Sequence, residues 1–270
     1  MKWDYYRFLS RLGPVALSQG MPYARCVEYP EVVRRLRLAS DDRVLDIGSR
    51  YSPFPALLAM RHGCSVTAVD PEPNFEKKQM AMMRKVPHAL KLAHEGKLSF
   101  HTRDAGELPF PDGHFTKIAA ISVLEHIVDE GPVMRELARL LAKNGLLAIS
   151  VPYDPYRDEP KYYRRKVYVT GQHESEEFYQ RYYNDDNLRS RLVEPSGLRL
   201  LSTDYFGEPG FNAHNLLYGN QRIPWYVRRV LFQPLAPFLA PLLIRKLEPR
   251  QFRHKTKMYT CDIAILILTK

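Results

Sequence analysis

Arg43-Val44-Leu45-Asp46-Ile47-Gly48-Ser49-Arg50-Tyr51-Ser52 is the stretch that decides the fold. Val44, Leu45 and Ile47 form a short apolar run, which suits a strand buried on both faces of a parallel sheet. Gly48 marks a sharp turn, where the absence of a Cβ lets backbone approach a ligand closely. Ser52 and Pro53 start a helix: a capping oxygen, then a proline whose missing N–H costs nothing at the first helical position. Strand, glycine turn and helix N-terminus make a ligand-binding corner of a doubly wound sheet, or, taken alone, an ordinary strand-to-helix turn.

The neighbouring segments choose between the two. Pro55–His62 is an apolar helix stopped by Gly63, and Ser65–Asp70 is a second strand ending in an acid. Asp70 lies 22 residues after Gly48, the distance at which a βαβ unit places a carboxylate on ribose hydroxyls. An Asp followed by Pro71 also suits a helix cap, and the two roles are compatible. A polar helix follows over 74–85. Lys97–His101 is a third strand leading to Asp104-Ala105-Gly106, and Leu108–Phe115, with its prolines and Asp-Gly, is a loop. Lys117–Ile121 is a fourth strand followed by Ser122-Val123-Leu124-Glu125-His126; residues 129–143 form an amphipathic helix, and Leu146–Val151 is a fifth strand. Strands alternating with helices predict an open α/β sheet. Upstream, Val27–Leu38 reads as a helix, and the aromatic, basic residues of 1–25 as an arm or lid.

The order of these features resembles the class I S-adenosylmethionine-dependent methyltransferases, especially the small-molecule, type 11-like subgroup with Leu-Glu-His after the fourth strand. The resemblance spans about residues 40–152. It implies a doubly wound, seven-stranded, mostly parallel Rossmann-like sheet, with insertions after strand 5 and between strands 6 and 7. It also implies S-adenosyl-L-methionine as cofactor. Asp46, Gly48 and Ser49 would line its methionine end. Asp70, beside Pro71, would hold the ribose, and Asp104 and Ala105 the adenine. Ile121 and Ser122 would flank the sulfonium. In quinone-ring O-methyltransferases a Glu three residues before the Glu-His pair helps hold a metal; here that position is Ser122, so no metal site is expected. His126 and His173 are the candidate bases, with a backbone-bonded histidine as the alternative for His126. One departure stands out: Arg50 occupies a position the family usually gives to glycine. It implies an uncommon backbone geometry, with the side chain turned outwards, paired with the cofactor carboxylate, or blocking the site.

A chain of 270 residues with 45% hydrophobic content fits one enlarged domain over 1–270. Its parts are an N-terminal helical arm (1–40), a cofactor-binding core (41–152), a tyrosine-rich insertion (153–186) and a basic, apolar insertion (206–257). Cys26, Cys64 and Cys261 are widely spaced and read as reduced thiols; with no signal-peptide pattern, a cytoplasmic protein is expected. The insertion at 153–186 holds eight tyrosines, at 153, 156, 162, 163, 168, 179, 182 and 183, and is the expected acceptor pocket.

Asn187–Pro195 reads as a helix, Leu198–Tyr205 as a sixth strand and Met258–Leu268 as the last. Between Arg222 and Lys257 there are nine Lys or Arg and one acid, Glu248, around a proline-broken apolar run over Val230–Ile244. That run is too short to span a bilayer and suits an anionic membrane surface, a pocket cap or a dimer contact. The expected activity is methyl transfer to a small, lipophilic acceptor. The alternatives are an RNA or protein methyltransferase using the basic segment, with nucleic acid the less favoured partner, and a non-catalytic membrane-surface protein on the same scaffold.

Overall fold

The computed structural model describes residues 1–157, 161–163, 177–209, 214, 224, 227, 232–252 and 262–270. The first five strands are β1 (Arg43–Ile47), β2 (Ser65–Asp70), β3 (Leu98–Thr102), β4 (Phe115–Ile121) and β5 (Leu141–Pro152). They pair in parallel in the order β3-β2-β1-β4-β5. The chain reverses its direction of travel between β1 and β4, which opens a crevice at their C-terminal ends.

The remaining strands close the far edge. After a separate small hairpin, β6 (Lys161–Tyr163) with β7 (Glu177–Gln180), come β8 (Arg199–Gly207), β9 (Arg245–Leu247) and β10 (Ile263–Thr269). β10 runs antiparallel between β5 and β8, and β9 pairs with β8 at the rim. The sheet therefore carries the seven expected strands plus one short eighth, drawn from the insertion between the sixth and seventh. Every residue of β10 is buried, and alternate side chains serve opposite layers. Ile263, Ile265 and Ile267 join one core, Ala264, Leu266 and Leu268 the other. That is why this stretch reads as an unbroken apolar run.

Helices cover both faces. One layer holds α1 (Lys2–Leu12), α2 (Pro14–Gln19), α3 (Arg25–Leu36), α4 (Phe54–His62), α5 (Phe75–Met83) and α6 (Pro87–His94). The other holds α7 (Glu130–Leu140) and a bent run: α8 (Asp185–Leu188), a π-turn over Arg189–Val193, and α9 (Glu194–Ser196). α10 (Ala236–Leu243) belongs to the first layer through Ala236 and Ala240. α6, not anticipated, starts on a proline and buries Ala89 and Leu92. The helix expected over 129–143 stops at Leu140, and β5 begins at once with Leu141. Asn144 adopts a left-handed backbone (φ 60°) beside Gly145, so the pair bends a strand and does not end a helix.

Candidate active site

The C-terminal ends of β1 to β4 surround a cavity of about 670 Å³. That lies within the roughly 300–1,000 Å³ typical of small-molecule sites. All ten expected cofactor residues, Asp46, Gly48, Ser49, Arg50, Asp70, Pro71, Asp104, Ala105, Ile121 and Ser122, are in its wall, with His126.

One side of the wall is built from turns. Gly48 has φ 73°, donates to the Val69 carbonyl at 2.9 Å, and a Cβ there would lie 2.3 Å from Val123 Cγ2. Only glycine meets both conditions. Arg50 does take the uncommon geometry, with φ 45°. Its backbone N–H donates to Asp70 Oδ2 at 2.7 Å, and its carbonyl accepts from the buried Gln79 amide at 2.9 Å. Its guanidinium lies 3.6 Å from Glu72 and over the Tyr51 ring, half exposed. The backbone of Arg50 therefore shapes the site, while its side chain turns to Glu72. Asp70 Oδ1 accepts from the Glu72 N–H at 2.9 Å, so the carboxylate is fixed from both sides. Burial raises the pKa of Asp70. Asp46 is buried on β1 and accepts from the Ser49 hydroxyl. Burial, with the Asp70 charge nearby, pushes its carboxyl up to about 7. Asp104 Oδ1 accepts from the Gly106 N–H at 2.8 Å, making a tight turn that leaves the carboxylate at the cavity.

The opposite side is a buried polar network. Arg25, on the first turn of α3, pairs with Glu28 and donates to Ser122 Oγ at 2.7 Å. Glu28, fully buried, accepts from the Ser122 and Ser150 hydroxyls, each at 2.8 Å. Burial opposes the Arg25 charge, but Glu28 and the Tyr29 hydroxyl outweigh it and the pKa rises. Ser122 is held with φ 45°, which turns its hydroxyl between Arg25 and Glu28. Glu125 is also buried, with Oε2 lacking a hydrogen-bond partner, and burial pushes its carboxyl up to about 8. His126 Nδ1 lies 2.6 Å from the Tyr179 carbonyl. A carbonyl only accepts, so Nδ1 carries the proton and Nε2 the lone pair. Burial lowers the His126 pKa, and the bond to Tyr179 offsets part of that, so the ring is neutral near pH 7.

Arg25, Glu28, Tyr29 and Ser150 were not singled out from sequence. The available signal was Glu28, which stands four residues before Val32 and eight before Leu36 on the buried face of α3. A carboxylate on an apolar stripe demands a partner. Part of the tyrosine-rich insertion is described. Tyr153, Tyr182 and Tyr183 are fully buried, and they, with Tyr156 and Tyr179, are not in the cavity wall. Tyr153 bonds Asp185 and Tyr183 bonds Glu130, so these rings staple the segment to the core. Among the described residues, the tyrosines at the cavity are Tyr5, Tyr29 and Tyr51. His173, like Tyr168, lies outside the described residues.

Residues 45–149 match the methyltransferase-domain family. The chain is 33% identical over 120 residues to "Methyltransferase GfsG" of Streptomyces halstedii, covering 44% of this chain and 41% of that one. It is 32% identical over 114 residues to the 27-O-demethylrifamycin SV methyltransferase of Amycolatopsis mediterranei, covering 42% and 40%. Among solved structures, the MccD protein superposes with a TM-score of 0.57 at 16% identity, over 90% of this chain and 96% of that one. A geranyl diphosphate methyltransferase in complex with SAM gives 0.57 at 10% identity, over 90% and 84%. Over residues 45–149 the chain is similar to the S-adenosylmethionine-dependent methyltransferases, and its fold over nine-tenths of its length is theirs. The matched stretch covers less than half the length of these curated relatives.

Proposed function

We propose that the protein moves a methyl group from S-adenosylmethionine to a small, lipophilic acceptor seated between the Gly48 turn and the Arg25–His126 wall. The observation that carries this reading is the cavity's two chemically different sides, one of fixed carboxylates and turns, the other of a neutral histidine and an anchored arginine. Two of the similar proteins are named for small organic acceptors, geranyl diphosphate and 27-O-demethylrifamycin SV.

The donor set suits the cofactor. Asp70 presents a carboxylate fixed by two backbone N–H groups, with lone pairs left for a ribose diol. Asp104 can accept from an adenine amino group, and Asp46, about half ionised at pH 7, has carboxyl oxygens to offer the cationic end. S-adenosylmethionine, when bound, supplies a methyl on a positively charged sulfur. What the chain must add is an aligned, water-poor approach for the acceptor. Tyr29 stacks on Phe54 with ring centroids 4.2 Å apart, giving that approach an apolar side. The Nε2 lone pair of His126 takes the proton of a hydroxyl acceptor, its tautomer set by Tyr179. Arg25 can orient an oxygen of the acceptor while Glu28 holds it in place.

The test is calorimetric binding of S-adenosylhomocysteine to the wild type and to Asp70→Ala. Binding that falls at least about tenfold in the variant is expected, as for loss of a charged hydrogen-bond acceptor. Absence of binding to folded wild type overturns the reading.

A further inference from the structure

We propose that the outer face formed by α1, α2 and α10 is a docking surface for an anionic lipid bilayer. Its centre is a contact that the sequence places 235 residues apart. The Trp3 and Phe238 rings meet edge to face, with centroids 5.8 Å apart, and Lys2 Nζ donates to the Pro237 carbonyl at 3.1 Å. Both rings are nevertheless open to solvent: Trp3 is 62% exposed and Phe238 51%. Leu242, one turn beyond Phe238, is 67% exposed, and Leu235, one turn before it, 46%. Ala236–Leu243 contains no polar side chain. Its buried side, Ala236, Pro237 and Ala240, packs inwards, so the opposite stripe is apolar and uncovered. The turn before it, Gln233–Leu235, packs against α2, where Leu17 is 40% exposed. A patch joined across three elements exceeds the scattered apolar residues of an ordinary surface and marks an interaction site.

Charge selects the partner. Arg7 and Arg11 are exposed and follow Trp3 at intervals of four and eight, on the same face of α1. Arg245, also exposed, lies two residues past the end of α10. The one acid of α1, Asp4, is engaged by Arg61 and by the amino terminus. An apolar stripe with a tryptophan and a basic border is the pattern of elements that lie in the bilayer interface. A second copy of the chain is a poor occupant, because it would bring the same arginines against one another. No helix among the described residues is long and apolar enough to cross a membrane, so the contact is with the surface.

The patch borders the cavity. Gly20 and Pro22, which follow α2, line it beside Tyr5, and the Gln233 side chain donates to the Met21 carbonyl at 3.0 Å. A lipophilic acceptor could pass from the bilayer to the pocket without crossing water. That last point rests on the reading of the pocket given above; docking itself does not.

The test is sedimentation of the full chain with vesicles of phosphatidylcholine alone and of phosphatidylcholine mixed with phosphatidylserine. Binding to the mixed vesicles is expected, falling with added salt. Phe238→Ser with Leu242→Ser should lower partitioning at least about tenfold. Arg7→Gln with Arg11→Gln should lower it about fivefold per charge on the anionic vesicles and little on the neutral ones. All these side chains are exposed, so unchanged unfolding midpoints and S-adenosylhomocysteine binding separate lost docking from lost fold or lost pocket. No vesicle binding by the wild type overturns the proposal. So does equal binding by the Phe238/Leu242 variant, or retention on an RNA homopolymer without retention on vesicles.

Discussion

The two sides of the cavity are made differently. On the side of Gly48 and Asp70 the backbone is the instrument: two positive-φ residues, an N–H from Arg50 and another from Glu72 fix where the carboxylate points. On the side of Arg25 and His126 the backbone is ordinary apart from Ser122, and side chains hold one another. A turn-built wall draws its geometry from a few adjacent residues. A network-built wall draws it from burial, and fails as a unit when one member is lost.

The largest expected effect is on the network. Arg25→Ala leaves Glu28 buried without its cation and should cost about 3 kcal/mol, the lower end for broken buried pairs because Arg25 is partly exposed. Chemical denaturation measures it, and Arg25→Ala with Glu28→Gln should recover most of the loss. If the single and double variants are equally unstable, the wall is not held by that pair. Gly48→Ala tests the other side. Its Cβ would overlap Val123 and the positive φ would persist, so a cost of about 1–3 kcal/mol is expected, together with weaker S-adenosylhomocysteine binding. Adding Val123→Ala should relieve the overlap but not the backbone strain.

Titration distinguishes the sides further. Asp46 and Glu125 have folded values near 7 and 8, above the carboxyl range of an unfolded chain. Between about pH 4 and those values the unfolded state has released protons that the folded state keeps. Stability from these two groups therefore falls as pH rises through that window and levels off above it. Glu125→Gln should flatten the decline up to pH 8 in thermal midpoints measured across the range; an unchanged slope would mean that Glu125 is ionised in the fold. The smallest effect is at Arg50→Gly. Relief of the left-handed backbone offsets the greater freedom of glycine in the unfolded chain, so stability should shift by less than about 1 kcal/mol and cofactor binding should persist. A large loss of binding would give the guanidinium a role that its contact with Glu72 does not suggest.

The same contrast explains what could be read in advance. Gly48, Asp70 and Asp104 each end or follow a strand within a few residues of a recognisable turn, so local pattern located them. Glu28 and Ser150 come from α3 and β5, and nothing local ties them to Ser122 and Glu125 after β4. For the tyrosines of 153–186 the sequence leaves two roles open, because a ring with a hydroxyl suits a pocket and a staple equally. Asp185 and Glu130 decided the matter for Tyr153 and Tyr183. The exposed stripe of α10 was visible as an apolar run, but its meeting with Trp3 was not.

The position of β10 inside the sheet has a kinetic consequence. Residues 263–269 fill the slot between β5 and β8, which precede them in the chain. While the ribosome still holds that strand, β5 and β8 have open edges and no partner for each other. Nascent chains of this protein therefore pass through an interval with unpaired strand edges, the state in which chaperone capture competes with aggregation.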